Sequence, residues 1–331
     1  MLLVNFGGPR DLAEVEPFLI ELLTDPDLIR TKWPRFFHRW FFTRIARKRA
    51  VKIRPDYALI GGASPIYFDT EETAKQLERK TGRPVIVFHR YLPETHKVSL
   101  EKIEACGEES MLVLPLFPQF SYVTTGSIAR FFAERLSKRT VESMRWIRSY
   151  PTHPAFVQCY QARIAECLRE HNIDEGKVVL LFSCHGLPRS YIDKGDVYES
   201  ECQASFEAVA KGFPRALSRL SYQSKFGKGE WLRPYTDEVC QSILSWKEKR
   251  DNVVVVPLSF TSDHIETLYE IEYLYIPLLR DRGVSAWRCP ALNLEPQWID
   301  ALAEIAKTTV RSSNDSLVRC LARKQTTLIK R

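Results

Sequence analysis

The sequence predicts an α/β protein of two similar Rossmann-like domains, each a four-stranded parallel sheet flanked by helices. Three observations predict it. Short apolar runs rich in Leu, Val and Ile alternate with amphipathic stretches of helix length, the pattern of a parallel sheet covered on both faces. The apolar runs stay short, "MLVLPLF" and "VVVVPL" among the longest, far below the roughly 20 residues that cross a bilayer as a helix. The halves also echo each other. "LVLPLFPQFS" ends a strand at Pro115 and "VVVVPLSFTS" at Pro257, an offset of 142, and Trp146 of "WIRSYP" precedes Trp287 of "WRCP" by 141.

Eight strands follow in order, at 2–6, 85–90, 111–117, 145–150, 178–183, 218–223, 253–260 and 285–289, four in each half. Helices are expected between them, among them 154–171, 197–210, 236–246, 266–279 and 295–309. The length, 331 residues, suits two domains each with its own core. The cut falls near Pro151, giving domains 1–150 and 151–331.

Composition is that of a soluble globular chain, 44% hydrophobic and 27% charged, with no low-complexity tract. No secretion signal is expected, since "MLLVNFGG" offers neither a basic segment nor a cleavage site. The eight cysteines (Cys106, Cys159, Cys167, Cys184, Cys202, Cys240, Cys289 and Cys320) contain no C-x-x-C pair and read as reduced thiols of a cytoplasmic protein.

Net charge is +7 but uneven. Ten Lys or Arg and no acid lie between Arg30 and Arg54, and subtracting them leaves −3 for the remainder. A second basic stretch begins at Arg311. In "TKWPRFFHRWFFTRIARKRA" the apolar positions 33, 36, 37, 40, 41 and 45 fall at helical spacing. Two readings stand, a surface helix in anionic lipid and a helix packed on the protein's own core. Nucleic acid fits less well, because the rings form one stripe instead of alternating with the charges.

In open parallel sheets a ligand binds beyond the carboxyl ends of the strands. Those ends carry "NFGGPR", "FHRY", "FPQFSYVTTGS", "FSCHGLPRSY", "SYQSKFG" and "FTSDHIE". "NFGGPR" lacks the G-x-G-x-x-G and G-K-[ST] patterns of nucleotide sites. His185, with Gly186 and Pro188 behind it, is placed to bind a metal or accept a proton, or only to bond a loop carbonyl. Asp263, Glu266 and Glu270 at i, i+3 and i+7 would line one helix face and could attract a cation or relay protons. The alternative is a solvated acidic face with Asp263 as the N-cap. Phe6, Tyr91, Phe117, Phe120, Tyr122, Trp231 and Phe260 gather near the same tips, with Arg90 and Ser64 as polar anchors. Such a lining suits a flat apolar ligand with acidic edges, or is simply core.

The blocks "LVNFGGPR", "IGGASPI", "FHRY", "FPQFSYVTTGS", "YPTHPAFVQCYQARI", "FSCHGLP", "SYQSKFGKGEWLRPYTDE" and "FTSDHIETLYE" together resemble the ferrochelatase family, in that family's order, from Leu2 to about Leu294. The resemblance implies a chelatase-like fold with the active-site cleft between the two domains, and an enzyme inserting Fe²⁺ into a porphyrin with release of two protons. It implies His185 and Glu266 as catalytic and metal-binding residues, with Asp263, His264 and Glu270 as a supporting polar cluster. Phe6, Arg49, Lys52, Ser64, Arg90, Tyr91, Phe117, Tyr122, Trp231 and Phe260 would meet the porphyrin, Arg49, Lys52 and Arg90 at its propionates. Residues near 30–54 correspond to the family's membrane-facing lip, and the last helix would pack back on the N-terminal half. Animal members hold a [2Fe–2S] cluster through one cysteine in the "FPQFSYVTTGS" block and three near the C-terminus. Here Tyr122 stands at the first position and Cys320 alone in the tail, so no cluster and no other tightly bound cofactor is expected. The substrate expected is protoporphyrin, with coproporphyrin, a cobalt chelatase acting on a more carboxylated tetrapyrrole, or a non-catalytic porphyrin carrier as alternatives. No nucleic acid partner is expected, and the sequence leaves the oligomeric state open.

Overall fold

The structure, a computed structural model, describes residues 1–106, 110–227 and 229–317. The described chain divides into two compact units, one formed by Met1–Ser149 with residues 306–317, the other by Tyr150–Ile305.

In the first unit the strands are β1 (Leu2–Asn5), β2 (Ile86–His89), β3 (Met111–Pro115) and β4 (Met144–Ile147). They lie in the order β2-β1-β3-β4 and pair in parallel. The second unit repeats this with β5 (Val178–His185), β6 (Leu217–Gln223), β7 (Asn252–Val256) and β8 (Ser285–Arg288), ordered β6-β5-β7-β8 and again parallel. The echo in the sequence is carried into register: Val113 pairs with Trp146 in one sheet and Val254 with Trp287 in the other. Pro115 ends β3, and β7 stops at the residue before Pro257, since proline has no N–H to continue a ladder.

One sheet differs from the four parallel strands expected of it. A short strand, β9 (Arg311–Ser313), adds to β4 and runs antiparallel, so the first sheet has five strands. An edge that would otherwise expose unpaired backbone groups is thereby covered. Three residues are too few to give the apolar run by which a strand is read from sequence.

β1 and β5 are central and buried along nearly their whole length. Beneath β5 and β7 the second core joins Val179, Leu181, Val253 and Val255 to Ile271, Ile276 and Leu279 on the succeeding helix. That packing fixes one face of the helix against the sheet, which leaves its opening residues at the strand tips.

This helix departs from the expected α-helix. Glu266–Tyr275 is a π-helix, continued by the α-helix Ile276–Arg280. Its hydrogen bonds reach i→i+5, a form rare in proteins and frequent at functional sites. Asp263 is also not an N-cap: the position before the helix is Ile265, and no side chain caps it.

The basic aromatic segment forms the helix Arg35–Leu59, which buries only His38, Ala46, Ala50 and Tyr57 among its residues. Phe36 and Trp40 are 78% and 55% exposed. Core packing therefore does not account for these rings. Among the described residues no helix is long and apolar enough to cross a membrane.

Candidate active site

His185 is the last residue of β5, after seven consecutive buried positions. Its place is set on both sides. The backbone pairs it with Gln223 of β6, and its N–H donates to Ser259 Oγ at 3.0 Å. Gly186 follows because nothing larger fits: a Cβ there would lie 2.9 Å from the Gln223 carbonyl and 3.4 Å from Trp231 Cε3. Trp231 is thus held against the turn beside the imidazole, bridged to Pro188.

The imidazole's tautomer follows from its partner. His185 Nδ1 lies 2.7 Å from the Gly186 carbonyl oxygen, and a carbonyl can only accept, so Nδ1 carries the hydrogen and Nε2 keeps its lone pair in the neutral ring. Burial lowers the pKa of His185 and so favours that neutral ring, with His264 adding to the effect and Glu266 opposing it. His264 is fixed in the same way, Nδ1 lying 3.0 Å from the Ser262 carbonyl oxygen. Phe260 stands near both rings, its centroid 6.2 Å from that of His185 and 4.8 Å from that of His264.

Glu266 opens the π-helix. Its Oε2 lies 3.1 Å from His264 Nε2, yet that oxygen is buried without a hydrogen bond. With Nδ1–H of His264 given to a carbonyl, Nε2 can donate to that oxygen only if it carries a proton of its own; without one, two acceptors face one another. A buried carboxylate oxygen in that position is costly until a proton or a cation neutralises it.

One turn on, Glu270 accepts hydrogen bonds from Ser224 Oγ at 2.5 Å and Tyr275 OH at 3.2 Å. Burial, with Glu266 adding to it, pushes its pKa up to about 7, against the pull of those donors. Glu270 also lines a cavity of about 390 Å³ with Ser224, Lys225, Tyr235 and Asp237. Glu266 and Glu270 share a helix face as the sequence spacing suggests, but Asp263 stands apart from it. Both its oxygens are occupied, Oδ1 by Arg288 Nη1 at 2.8 Å and Thr267 Oγ1 at 2.7 Å, and Oδ2 by Asn293 Nδ2 at 2.8 Å. Asp263 is the anchor of the loop that presents His264, not a further open carboxylate.

The other predicted residues lie in the first unit. Phe6 meets Tyr91 and Phe117 edge to face, at 4.5 and 6.0 Å between centroids. Tyr122 packs on Phe120. Ser64 is buried against Gly8, whose missing Cβ would collide with it at 2.6 Å. Arg49 and Lys52 lie on the helix Arg35–Leu59, Lys52 exposed.

Arg90 differs from the expectation that it holds a propionate. It is 7% exposed, and its donors serve Asp25 at 2.9 Å, Glu21 at 3.2 Å and Ser127 at 3.1 Å. Asp25 also accepts from Tyr91 OH at 2.8 Å and Ser127 Oγ at 2.6 Å. Its guanidinium is thus bound within the fold, behind the aromatic wall of Tyr91 and Phe6.

Gln223, Ser259, Arg288 and Asn293 escape the sequence reading. Gln223 ends β6 and Ser259 lies just past β7, so both were within reach of the same rule that singled out His185. Arg288 and Asn293 carry no local signal, since each acts on a residue at least 25 positions away.

Comparison with known proteins shows the family of the chain. The profile of the Ferrochelatase family matches residues 1–310. The chain belongs to the ferrochelatase family. It is 45% identical to the ferrochelatase of Chlamydia felis over 96% of this chain and 98% of that one. It is 46% identical to that of Chlamydia abortus over the same shares, and 42% identical to that of Chlamydia trachomatis serovar A over 95% and 96%. The chain is accordingly an enzyme, a lyase that inserts metal into a porphyrin, with porphyrin and ferrous iron as substrates. Among solved structures it is similar in fold to SirB from Bacillus subtilis with Fe³⁺ (TM-score 0.55, 12% identity, 95% of each chain). It is also similar to CbiX, the terminal enzyme of siroheme biosynthesis in denitrifying bacteria (TM-score 0.51, 16% identity, 92% of this chain and 97% of that one).

Proposed function

We propose that the chain inserts Fe²⁺ into protoporphyrin IX to give protoheme, releasing the two pyrrole protons, as the terminal step of heme biosynthesis. One observation carries the site: the buried Glu266 Oε2 that accepts no hydrogen bond, 3.1 Å from His264 Nε2, on the helix that follows the strand next to the one His185 ends. Fe²⁺ accepts nitrogen and oxygen donors, and a site that must surrender its metal does so more readily with few of them. Fe²⁺ enters, two N–H bonds break, four nitrogens bind the metal, and two H⁺ leave. His185, half-buried and with its pKa lowered, can take the first proton, and Glu266 can hold the incoming cation or take the second.

Phe6, Tyr91, Phe117, Tyr122, Trp231 and Phe260 are assigned to the porphyrin's faces, with Ser64 supporting them. Trp231, pinned by Gly186, is a rigid surface against which a ring could be bent to expose its nitrogens. Arg49 and Lys52 are assigned to the propionates. The exposed rings of Arg35–Leu59 amid basic residues support contact with an anionic membrane surface from the cytoplasmic side. The absence of an iron–sulfur cluster rests on Tyr122 at the position of the first cluster cysteine; Cys320 lies outside the described residues.

The test is anaerobic insertion of Fe²⁺ with protoporphyrin and coproporphyrin offered side by side. Protoporphyrin is expected to have the higher kcat/KM. A reversed preference would assign the coproporphyrin reaction, and binding of either porphyrin without metallation would assign a carrier. For the membrane contact, Phe36→Ser with Trp40→Ser should lower partition onto anionic vesicles about tenfold or more, since burying each such ring is worth about 2 kcal/mol. Unchanged flotation of the double variant would remove the membrane from the account.

A further inference from the structure

Two elements carry the pair. His185 sits on β5 and Glu266 on the π-helix, and something must hold one at a working distance from the other. Gln223, 2% exposed, touches both. Its backbone lies beside His185 in the β5–β6 ladder, and its carbonyl oxygen accepts from Gly186 N–H at 2.8 Å. Its side chain reaches the other way: Nε2 donates to the main-chain oxygen of Glu266 at 2.7 Å.

The orientation of that amide is determined. The Glu266 carbonyl can only accept, so nitrogen must face it and Oε1 must face away. Oε1 meets Ser183 Oγ at 2.7 Å, and Ser183 touches Thr236 Oγ1, which touches Ser221 Oγ, each at 2.9 Å. Ser183, Ser221 and Thr236 are fully buried. Ser221 Oγ donates to the Phe182 carbonyl at 3.1 Å, whereas the buried hydroxyl of Ser183, which costs free energy that an apolar residue would not, is turned onto the Gln223 amide.

We propose that Gln223 is a positioning residue of the insertion reaction, a buried strut that sets where Glu266 stands relative to His185, with Ser183 fixing its orientation. The proposal rests on the assignment of His185 and Glu266 as the reacting pair. The Gln223 amide ties the main chain at Glu266, the first residue of the π-helix, to the end of β6. Displacing a reacting group by about 1 Å can cost on the order of a hundredfold in rate.

The test is Gln223→Met, which keeps the length of the side chain and removes its donor. In the native background kcat/KM for the metal is expected to fall about tenfold or more, while the KM for porphyrin stays within about twofold. In a Glu266→Gln background, assayed over long incubations, the same change should cost nothing further, because there is no carboxylate left to place. Equal losses in the two backgrounds, or no loss in the native one, would overturn the proposal. Should Gln223→Met not fold, Ser183→Ala leaves the amide in place but frees its rotation, and the same non-additive pattern is expected at smaller size. Full turnover by Glu266→Gln itself would count against the pair; loss in Glu266→Gln with none in Gln223→Met would count against the strut alone.

Discussion

Replacing His185 by Ala or Glu266 by Gln is expected to lower metal insertion by a factor of about 10²–10⁴, the usual worth of a positioned acid or base. The basis is local. His185 offers one lone pair because the Gly186 carbonyl takes its only hydrogen, and Glu266 offers an oxygen that accepts no hydrogen bond and lies 3.1 Å from His264 Nε2. Removal of either leaves the porphyrin walls untouched, so porphyrin binding should persist in both variants. The double variant should be little worse than either single one, since groups acting as a unit are not additive. Steady-state insertion with saturating porphyrin and varied Fe²⁺ reads this directly. If both single variants keep native turnover, the site is misassigned.

The second large effect is on stability. Arg90→Met should cost about 3–5 kcal/mol, because it leaves the Asp25 carboxylate, 4% exposed, without its cation. Tyr91 OH and Ser127 Oγ would still donate to Asp25, but neutral donors do not replace a charge. Lys52→Ala, on the exposed helix surface, should stay within about 0.5 kcal/mol. Denaturant unfolding of the two variants separates the roles. A stable Arg90→Met protein with a raised KM for porphyrin would return Arg90 to the propionates; an unstable one with unchanged KM keeps it in the fold.

Much of the architecture was legible because it follows from apolar periodicity. The eight strand predictions correspond to β1 through β8, with ends displaced by four residues at most, as at 253–260 against Asn252–Val256. That error has a cause, since Pro257 stops the ladder while the apolar run continues to Leu258 and Phe260. His185 and Glu266 were singled out because strand ends are where such sheets place ligands, and their proposed roles come from the family resemblance. The π-helix was not legible, because apolar periodicity marks the buried face of a helix without separating i→i+4 from i→i+5 bonding. β9 was missed because three residues give no period, and the roles of Arg90 and Asp263 because their partners lie far away in sequence. A charged residue at a strand tip reads the same whether it faces a ligand or an internal carboxylate.

The central claim is that one neutral imidazole and one unsatisfied carboxylate together admit the metal and remove the pyrrole protons. Proton release measured in weakly buffered anaerobic solution, alongside the absorbance of the metallated ring, tests it most directly. The account predicts two protons per metal inserted by the native protein, and loss of both signals together in His185→Ala and in Glu266→Gln. Either variant metallating protoporphyrin at the native rate, with its two protons, would contradict it.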